Sequence, residues 1–385
     1  MAFGSETYRA NGSKAMDGAN ASGIFVKAIT VWYGSAANGS EVFPQIPAGS
    51  MYIVIAQAGG QYEPSIGDDG TGHAKLSWTY YPYGASFVNS TSDTTFLVFA
   101  RKVIQTESHG ILTYNDIGDQ LNDYTYPVPQ YAGTVQPAAA PTMSYVSPDG
   151  IYQLNVHTVR INFRATTNRL VMVNVPDSSS NDVWYSCYPF IKANEVVYEN
   201  GAYNTSIPVE LYILRRAGQP YQVPSLHVFS LDGPVSGGST FGTQYFNASG
   251  ALVYDSSAEN VSIRDQQPLT FPTRGSPANT LAMNMPSQAG VVIPYFYQSI
   301  YHAQAVDING NRGYYENWRG MVQRRGNTLY AKTIDFAHNT VYDPSGTGTH
   351  FDSQFGRQTG GSAMIVDISE LSPSSVAGTP GTVFN

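Results

Sequence analysis

The stretch Thr95-Phe96-Leu97-Val98-Phe99-Ala100 indicates the fold class of this chain. It is a short apolar run of β-branched and aromatic residues, a composition that favours strands. Two similar runs are Arg169 to Val175 and Val209 to Leu214. Few stretches long enough for a three-turn helix lack Gly, Pro or such a run. We therefore predict an all-β fold with few or no long helices.

The composition supports a folded chain of several small modules. The chain has 385 residues, which is long enough for two or three β-sandwich-like units that each have a core. Its apolar share of 42% is close to the globular norm of about 45–50%. The 37 glycines and 23 prolines are spread between short apolar runs, as in proteins with many short strands.

Asn-Gly and Asp-Gly dipeptides mark the places where hairpin turns are expected. These residues tolerate positive φ at both central positions of a type I′ turn, so strands on either side of them can pair. The predicted turns are Asn11-Gly12, Asn38-Gly39, Asp149-Gly150, Asn200-Gly201 and Asn309-Gly310.

An internal repeat links the two ends of the chain. The segment FGSETYRANGSKAMD, Phe3 to Asp17, aligns without gaps on FGTQYFNASGALVYD, Phe241 to Asp255, and five of the fifteen positions are identical. A weaker copy is SYVSPDGIYQLN, Ser144 to Asn155. Each copy predicts a strand, a tight turn at a glycine, and a second strand ending in Asp or Asn. The residues expected to have structural roles in these hairpins are Phe3, Gly4, Gly12, Asp17, Gly150, Phe241, Gly242, Gly250 and Asp255.

The segments after the first two hairpins also recur in the same order. An apolar strand is followed by a Trp-aromatic-Pro stretch, at Trp78 and again at Trp184, and then by a strand closing on two basic residues. We expect these tryptophans to be structural. This order predicts sandwich modules at residues 1–136, 137–232 and 233–368, the last less regular, followed by a flexible tail at 369–385.

Charge and hydropathy argue against two classes of partner. Charged residues make up 12% of the chain and its net charge is −8, with no basic block to bind nucleic acid. No apolar run approaches the roughly 20 residues that span a bilayer, so membrane insertion is not expected. The N-terminus has neither the basic nor the apolar region of a secretory signal. A tyrosine-rich surface with few charges is typical of an extracellular protein, yet no export signal is expected here. Assembly of a particle in the bacterial cytosol and its release by lysis would account for both features.

Catalytic and metal-binding motifs are not found. The sequence contains no Gly-x-Ser-x-Gly, no phosphate-binding loop ending in Gly-Lys-Ser/Thr and no His-Glu-x-x-His, and its seven histidines lie far apart. Asp68-Asp69-Gly70 and Asp307 to Asn311 are interpreted as plain turns rather than calcium loops. We therefore expect no enzyme activity, no metal and no cofactor. Glycosidase chemistry remains an alternative, with Asp182, Glu195 and Glu199 as candidate carboxylates that nothing in the sequence pairs.

The segment Gly313 to Gly320 is expected to be an aromatic loop and is the candidate contact surface. It combines aromatic rings with a cation between two glycines, the mixture that binds sugars or flat protein surfaces. The residues expected to contact a receptor or a partner are Tyr314, Tyr315, Trp318 and Arg319. The alternative is that this segment is part of a core between modules or subunits.

The N-terminus resembles a known family. Met1-Ala2-Phe3-Gly4, a short strand, Asn11-Gly12, a second strand and Asp17 are similar to the opening of tailed-bacteriophage proteins that begin Met-Ala-Tyr-Gly or similar and are encoded among tail genes. In that family the hairpin opens a small β-sandwich. The resemblance covers about the first 20 residues and their copy at Phe241 to Asp255.

The resemblance implies a structural virion protein at the distal tail, such as a tail tip, fibre or receptor-binding subunit, that serves assembly and host attachment. Its partners would be other tail proteins, further copies of itself, with a trimer favoured, and a host-surface glycan or protein. The alternatives are a polysaccharide-degrading tail enzyme and a bacterial adhesin or S-layer-like protein. The chain differs from many members of the family by carrying two or three copies of the unit.

Overall fold

A computed structural model of the chain shows an all-β protein. The structure describes residues 7–8, 14–16, 24–32, 35, 37–57, 62–80, 94–104, 113–114, 120–122, 126–146, 150–164, 168–178, 182–189, 195–199, 202–232, 243–247, 249–255, 262–269, 272, 277–282, 291–294, 299–305, 312–342, 361–367 and 383–384. Within these residues there is no α-helix, which confirms the predicted fold class.

Short strands follow one another along the whole described chain. Those of the first half are β1 (Thr7–Tyr8), β2 (Lys14–Met16), β3 (Ile24–Val31), β4 (Gly39–Pro47), β5 (Met51–Gln57), β6 (Tyr62–Asp68), β7 (His73–Tyr80), β8 (Thr94–Ala100), β9 (Thr113–Tyr114), β10 (Gln120–Asn122), β11 (Gln130–Val135), β12 (Met143–Val146), β13 (Tyr152–Arg164), β14 (Arg169–Asn174) and β15 (Trp184–Pro189). Those of the second half are β16 (Glu195–Glu199), β17 (Ala202–Arg216), β18 (Leu226–Ser230), β19 (Gln244–Phe246), β20 (Leu252–Asp255), β21 (Ser262–Leu269), β22 (Asn279–Ala282), β23 (Val291–Pro294), β24 (Ser299–Ala305), β25 (Arg312–Arg325), β26 (Thr328–Tyr342), β27 (Gly361–Asp367) and β28 (Val383–Phe384).

The larger sheets of the described chain are antiparallel apart from one short parallel pair. Two three-stranded sheets have the orders β3-β8-β5 and β4-β7-β6. A six-stranded sheet has the order β11-β18-β14-β23-β27-β21. The largest sheet has the order β12-β13-β17-β15-β25-β26-β22, with β16, β24 and β28 attached at its sides. The hairpins β1–β2, β9–β10 and β19–β20 form two-stranded ribbons.

Strand β8, which contains the run that indicated the fold class, is buried on both faces. Its side chains alternate between two cores, because successive residues of a strand point to opposite faces. Phe96, Val98 and Ala100 belong to the core shared with the β4-β7-β6 sheet and the largest sheet. Leu97 and Phe99 belong to the core shared with the six-stranded sheet. Burial on both faces explains why the run carries no polar residue after Thr95.

Strands β14 and β17 connect the cores in the same way. Alternate residues of β14 face the core shared with β8 and a third core between the six-stranded and largest sheets. Alternate residues of β17 face that third core and the core that contains Phe96. The three apolar runs recognised in the sequence are therefore strands that join the three cores in pairs.

The sheets continue across both of the predicted module boundaries. Strand β11, placed in the first module, pairs with β18 of the second, and β14 of the second pairs with β23 of the third. Strand β15 likewise pairs with β25. The expected modules 137–232 and 233–368 thus contribute strands to the same two sheets. Strands that are far apart in the sequence pair there because their apolar faces fit each other.

The predicted module order does not correspond to one repeated set of strand pairings. The apolar strand and the strand with basic residues at its end pair directly in the first unit, as β5 with β8. In the second unit the corresponding strands, β14 and β17, lie in different sheets. Both tryptophans are structural, as predicted. Trp184 is buried in the core that contains Phe96, and Trp78 packs against the same core.

Four of the five predicted turn dipeptides fall between strands that pair, but of their residues only Gly150 is among those the structure describes. Strands β16 and β17, for example, pair up to Glu199 opposite Ala202. The prediction of a turn at Asn38-Gly39 is wrong, because Gly39 begins β4 opposite Trp78. A Cβ atom on Gly39 would lie 2.5 Å from the Trp78 indole, so glycine is needed there for close approach. The hairpin β25–β26, with Gly326 at φ +55°, was not predicted.

The end of the chain is partly ordered against the largest sheet. Val383 and Phe384 form β28, which runs parallel to β13 opposite Asn162 and Phe163. Two residues of the predicted tail 369–385 are thus paired with β13, and the flexibility of the tail remains a prediction. The rest of the predicted tail, 369–382 and 385, lies outside the described residues.

Candidate functional site

The first and third copies of the repeated hairpin have the same strand register. Thr7 opposes Met16 in β1–β2, and the aligned residues Tyr245 and Tyr254 oppose each other in β19–β20. Both pairs are followed by a register shift at the same aligned position, after Thr7 and after Tyr245. The sequence repeat is thus a structural repeat that includes a β-bulge.

The middle copy shares the register but not the bulge. Ser144 opposes Asn155 and Tyr145 opposes Leu154, as Gln244 opposes Asp255 and Tyr245 opposes Tyr254 in the third copy. The pairing of β12 with β13 then continues to Val146 without a shift. This copy is also the only one of the three that belongs to a larger sheet in the described chain.

The closing Asp or Asn of the hairpin is a buried cross-strand hydrogen-bonding group. The Asp255 side chain is 2% exposed, and its Oδ2 accepts a hydrogen bond of 2.7 Å from Gln244 Nε2. Asn155 is 1% exposed, and its Oδ1 accepts a bond of 3.1 Å from Ser144 Oγ. The pattern noticed in the sequence therefore corresponds to a hydrogen bond between a buried Asp or Asn and an exposed partner at the open end of each of these two hairpins.

The turn glycines of the second and third copies have the left-handed backbone expected of them. Gly150 has φ +70° and Gly250 has φ +80°, which other residues adopt only with strain. The remaining residues predicted for the hairpins lie outside the described residues; they are Phe3, Gly4, Gly12, Asp17, Phe241 and Gly242.

The four predicted contact residues lie on a strand. The segment that contains Tyr314, Tyr315, Trp318 and Arg319 is part of β25, which pairs with β24 on one side and β26 on the other. The expectation of a loop at this segment is wrong, because long antiparallel neighbours on both sides provide its backbone with hydrogen bonds. A register shift between Asn317 and Trp318 interrupts the pairing with β26. The side chains of the four residues lie outside the description, so the contact role remains a prediction.

A set of side-chain bonds joins the segment after β11 to the segment before β18. We call this set the polar seam; it comprises Thr134, Gln136, Gln153, His157, Arg215, Tyr221 and His227. Gln136 Nε2 donates to the Val223 carbonyl at 3.1 Å. Sequence reasoning missed the seam, because its members are distant along the chain and match no motif.

His157 lies at one end of the polar seam. It is 1% exposed, and its Nδ1 donates to the Ala138 carbonyl at 2.9 Å. Nε2 then has to accept the hydrogen bond from the Tyr221 hydroxyl, at 3.2 Å, as a neutral imidazole does. Burial lowers the pKa of His157 and raises the pKa of Tyr221. The arrangement suits an uncharged imidazole that positions two chain segments.

His227 lies at the other end of the polar seam. Its Nδ1 is 2.9 Å from Thr134 Oγ1 and its Nε2 is 3.3 Å from Ser225 Oγ. The residue is 7% exposed, and desolvation by burial lowers its pKa to about 4. Both histidines are therefore held in the neutral form at neutral pH, each between two hydrogen-bonding partners.

Arg215 places a cation beside the polar seam. Its Cζ lies 4.8 Å from the centroid of the Tyr221 ring, within the range of a cation–π contact. Its Nη2 donates to Gln153 Oε1 at 2.8 Å and its Nη1 donates to the Gln219 carbonyl. Arg215, the first of the two basic residues at the end of β17, is therefore held by a ring contact and two hydrogen bonds. Arg216 is 60% exposed and lies 3.7 Å from Asp182.

The Asp68-Asp69-Gly70 segment forms a hydrogen-bonded turn, in line with its interpretation from the sequence. Asp68 Oδ1 accepts from the Gly70 and Gly72 amides at 2.6 and 3.2 Å. Asp69 accepts from the hydroxyl and amide of Thr71, and these bonds lower the pKa of Asp69 to about 2. The carboxylates are thus occupied by donors of their own turn.

Of the candidate glycosidase carboxylates, only Asp182 has a side chain among the described residues. Asp182 Oδ1 accepts a bond of 2.9 Å from Trp184 Nε1. Glu195 and Glu199 lie on β16, and their side chains are outside the description. Among the described residues, no group of three or more His, Cys, Asp or Glu side chains has the arrangement of a metal site. The same residues contain no helix with the length and hydropathy of a membrane span.

Comparisons with known proteins identify no relative. No protein-family model, curated protein or solved structure matches this chain.

Proposed function

We propose that this protein is a structural component of a tailed-phage virion, located at the distal tail as part of a tail tip, fibre or receptor-binding assembly. The observation that supports this most directly is the repeated hairpin. The N-terminal segment, on which the resemblance to tail proteins rests, pairs as β1 with β2, and its copy β19–β20 has the same register and bulge.

The architecture is compatible with a load-bearing part of a particle. Central strands β8, β14 and β17 are packed on both faces, so the sheets are joined by shared cores rather than by linkers. In this proposal the protein assembles in the host cytoplasm with other tail proteins and with further copies of itself, a trimer being favoured.

Detection of the protein in purified virions tests the placement. Antibodies against the purified chain, imaged on gradient-purified particles by immuno-electron microscopy, are expected to label the distal end of the tail. Quantitative mass spectrometry of the same particles is expected to give a fixed copy number. Absence of the protein from washed particles, or labelling confined to uninfected cells, would overturn the proposal.

The attachment role is assigned to β25 and has a separate test. We expect Trp318→Ala and Arg319→Ala to reduce binding of the purified protein to host cells, because these residues combine a ring and a cation suited to a glycan or protein surface. Trp32→Ala is the control, since Trp32 is 59% exposed and follows β3, outside the largest sheet. If all three variants bind host cells equally, attachment through β25 is excluded and assembly remains the proposed role.

A further inference from the structure

Strand β12 is an exposed edge of the largest sheet. All four of its residues are exposed, and three of them are apolar: Met143 at 41%, Tyr145 at 49% and Val146 at 60%. In the described part of the chain, β13 is the sole strand partner of β12. The outer side of β12 therefore presents backbone groups and apolar side chains to solvent.

The other two copies of the hairpin show what β12 lacks. Both β1–β2 and β19–β20 have a bulge at the position that corresponds to Tyr145/Val146, whereas β12 pairs with β13 in unbroken register. A bulge twists a strand and interrupts its pairing, which protects an edge from further strands. Of the three hairpins, the middle one alone combines a regular edge with attachment to a large sheet.

The chemistry of β12 also leaves the edge open to another strand. Exposed edges are commonly protected by lysine, proline or an inward-pointing charge. The sequence Met143-Ser144-Tyr145-Val146 contains none of these. Ile151, at the start of the returning strand, adds a further apolar side chain that is 51% exposed.

We propose that β12 pairs with β12 of a second copy of this chain, antiparallel across a two-fold axis, so that one sheet runs through both copies. A two-fold contact brings the same strand from each copy together, so the strand has to be compatible with itself. Strand β12 meets this condition, because it is uncharged and mostly apolar and no like charges meet in any antiparallel register. The proposal concerns the isolated protein and holds whether or not the chain belongs to a virion.

Sedimentation equilibrium of the full chain tests this interface with a matched pair of variants. Val146→Lys places a charge on the edge, and Phe246→Lys places one at the aligned position of the third hairpin, where Phe246 is 53% exposed. We expect the wild type and Phe246→Lys to have the same mass, an even multiple of 41.7 kDa, and Val146→Lys to have half of it. A wild type whose mass is an odd multiple of 41.7 kDa, such as a monomer or an isolated trimer, would overturn the proposal, as would equal dissociation of both variants.

A cross-linking experiment provides a second readout that does not depend on a disruptive substitution. In a Cys187→Ser background, Ser144→Cys is expected to form cross-links between copies with a short bifunctional thiol reagent. Ser249→Cys, in the exposed turn of the third hairpin, is the control and should remain uncross-linked. Equal cross-linking at both positions would contradict pairing through β12. Virion imaging is independent of both experiments, so failure of one proposal is distinguishable from failure of the other.

Discussion

Strand β8 and the hairpin β19–β20 hold their backbones in place by different means. Every described residue of β8 from Phe96 to Ala100 is buried, and its two faces contribute to two cores. In the hairpin, β20 is buried while Gln244 and Phe246 of β19 are exposed, and the pair is secured by a turn glycine and a polar contact to Asp255. The comparison indicates that apolar burial on both faces stabilises β8, whereas the hairpin combines burial of one strand with local turn chemistry.

The largest expected effect is at the centre of β8. Phe96→Ala should lower the free energy of unfolding by about 3–5 kcal/mol, because it removes a fully buried ring and leaves a cavity. Phe246→Ala, on the exposed strand of the hairpin, should change it by no more than about 0.5 kcal/mol. Urea unfolding monitored by tryptophan fluorescence measures both values. Similar losses for the two variants would remove the distinction between centre and hairpin.

The pH dependence of stability extends the comparison to the six-stranded sheet, where His227 is buried on β18. Its folded-state pKa lies below that of an unfolded histidine, so the unfolded chain binds a proton that the folded chain excludes. This contribution to stability is present above about pH 6.5 and decreases by about 3 kcal/mol as the pH falls toward 4.

Unfolding measurements across this pH range test the assignment. His227→Gln retains hydrogen-bonding atoms without titrating, and it should flatten the decrease in stability toward acid pH. Phe246→Ala, at an exposed position without a titratable group outside this sheet, is the control and should leave the wild-type slope in place. If His227→Gln leaves the slope of stability against pH unchanged, the acid sensitivity arises elsewhere in the chain.

The closing residue of the hairpin should have a smaller effect than the centre of β8. Asp255→Ala removes the hydrogen bond of 2.7 Å between the Gln244 amide and the buried carboxylate and should cost about 1–3 kcal/mol of unfolding free energy. Asn155→Ala, at the aligned position of the middle hairpin, should have an effect of similar size because Asn155 is equally buried. Thermal unfolding by circular dichroism compares the two. If only one of the two substitutions lowers stability, the closing residues of the two hairpins do not contribute equally to the free energy of unfolding.

The smallest expected effect is at the turn glycines. Gly250→Ala and Gly150→Ala place a Cβ atom on a left-handed backbone and should each lower stability by about 1 kcal/mol. Gly67→Ala is the control, since Gly67 has no such φ and open space surrounds its Cβ position. Equal effects of all three substitutions would indicate a general cost of losing glycine rather than turn strain.

Parts of the structure that depend on neighbours in sequence were predictable. The apolar runs at Thr95 and Val209 were recognised as strands, and the middle and third hairpins have their turns at Gly150 and Gly250 as expected. The turn at Gly326-Asn327 was missed although a Gly-Asn dipeptide between strands is itself a hairpin signal. The Asn38-Gly39 prediction failed because the glycine there accommodates Trp78 from a distant strand.

The candidate contact segment shows the limit of that approach. Glycines and mixed polar residues at Gly313 to Gly320 resemble a loop locally, yet β24 and β26 pair with the segment on both sides. The polar seam could not be predicted either. The roles of His157 and His227 depend on their hydrogen bonds to Ala138, Tyr221 and Thr134, which the sequence does not show. Neither feature leaves a pattern of fixed spacing in the sequence.

The sequence by itself determined that this chain is all-β, where its principal apolar strands lie, and that one hairpin pattern recurs. These properties follow from residue composition, alternation and turn glycines, which act over a few residues. Only the tertiary structure decided which strands share a sheet, so that β14 pairs with β23 and β15 with β25 across the expected boundaries. Strand partners are selected by the fit of apolar faces that are distant in the chain, and that fit has no local signature.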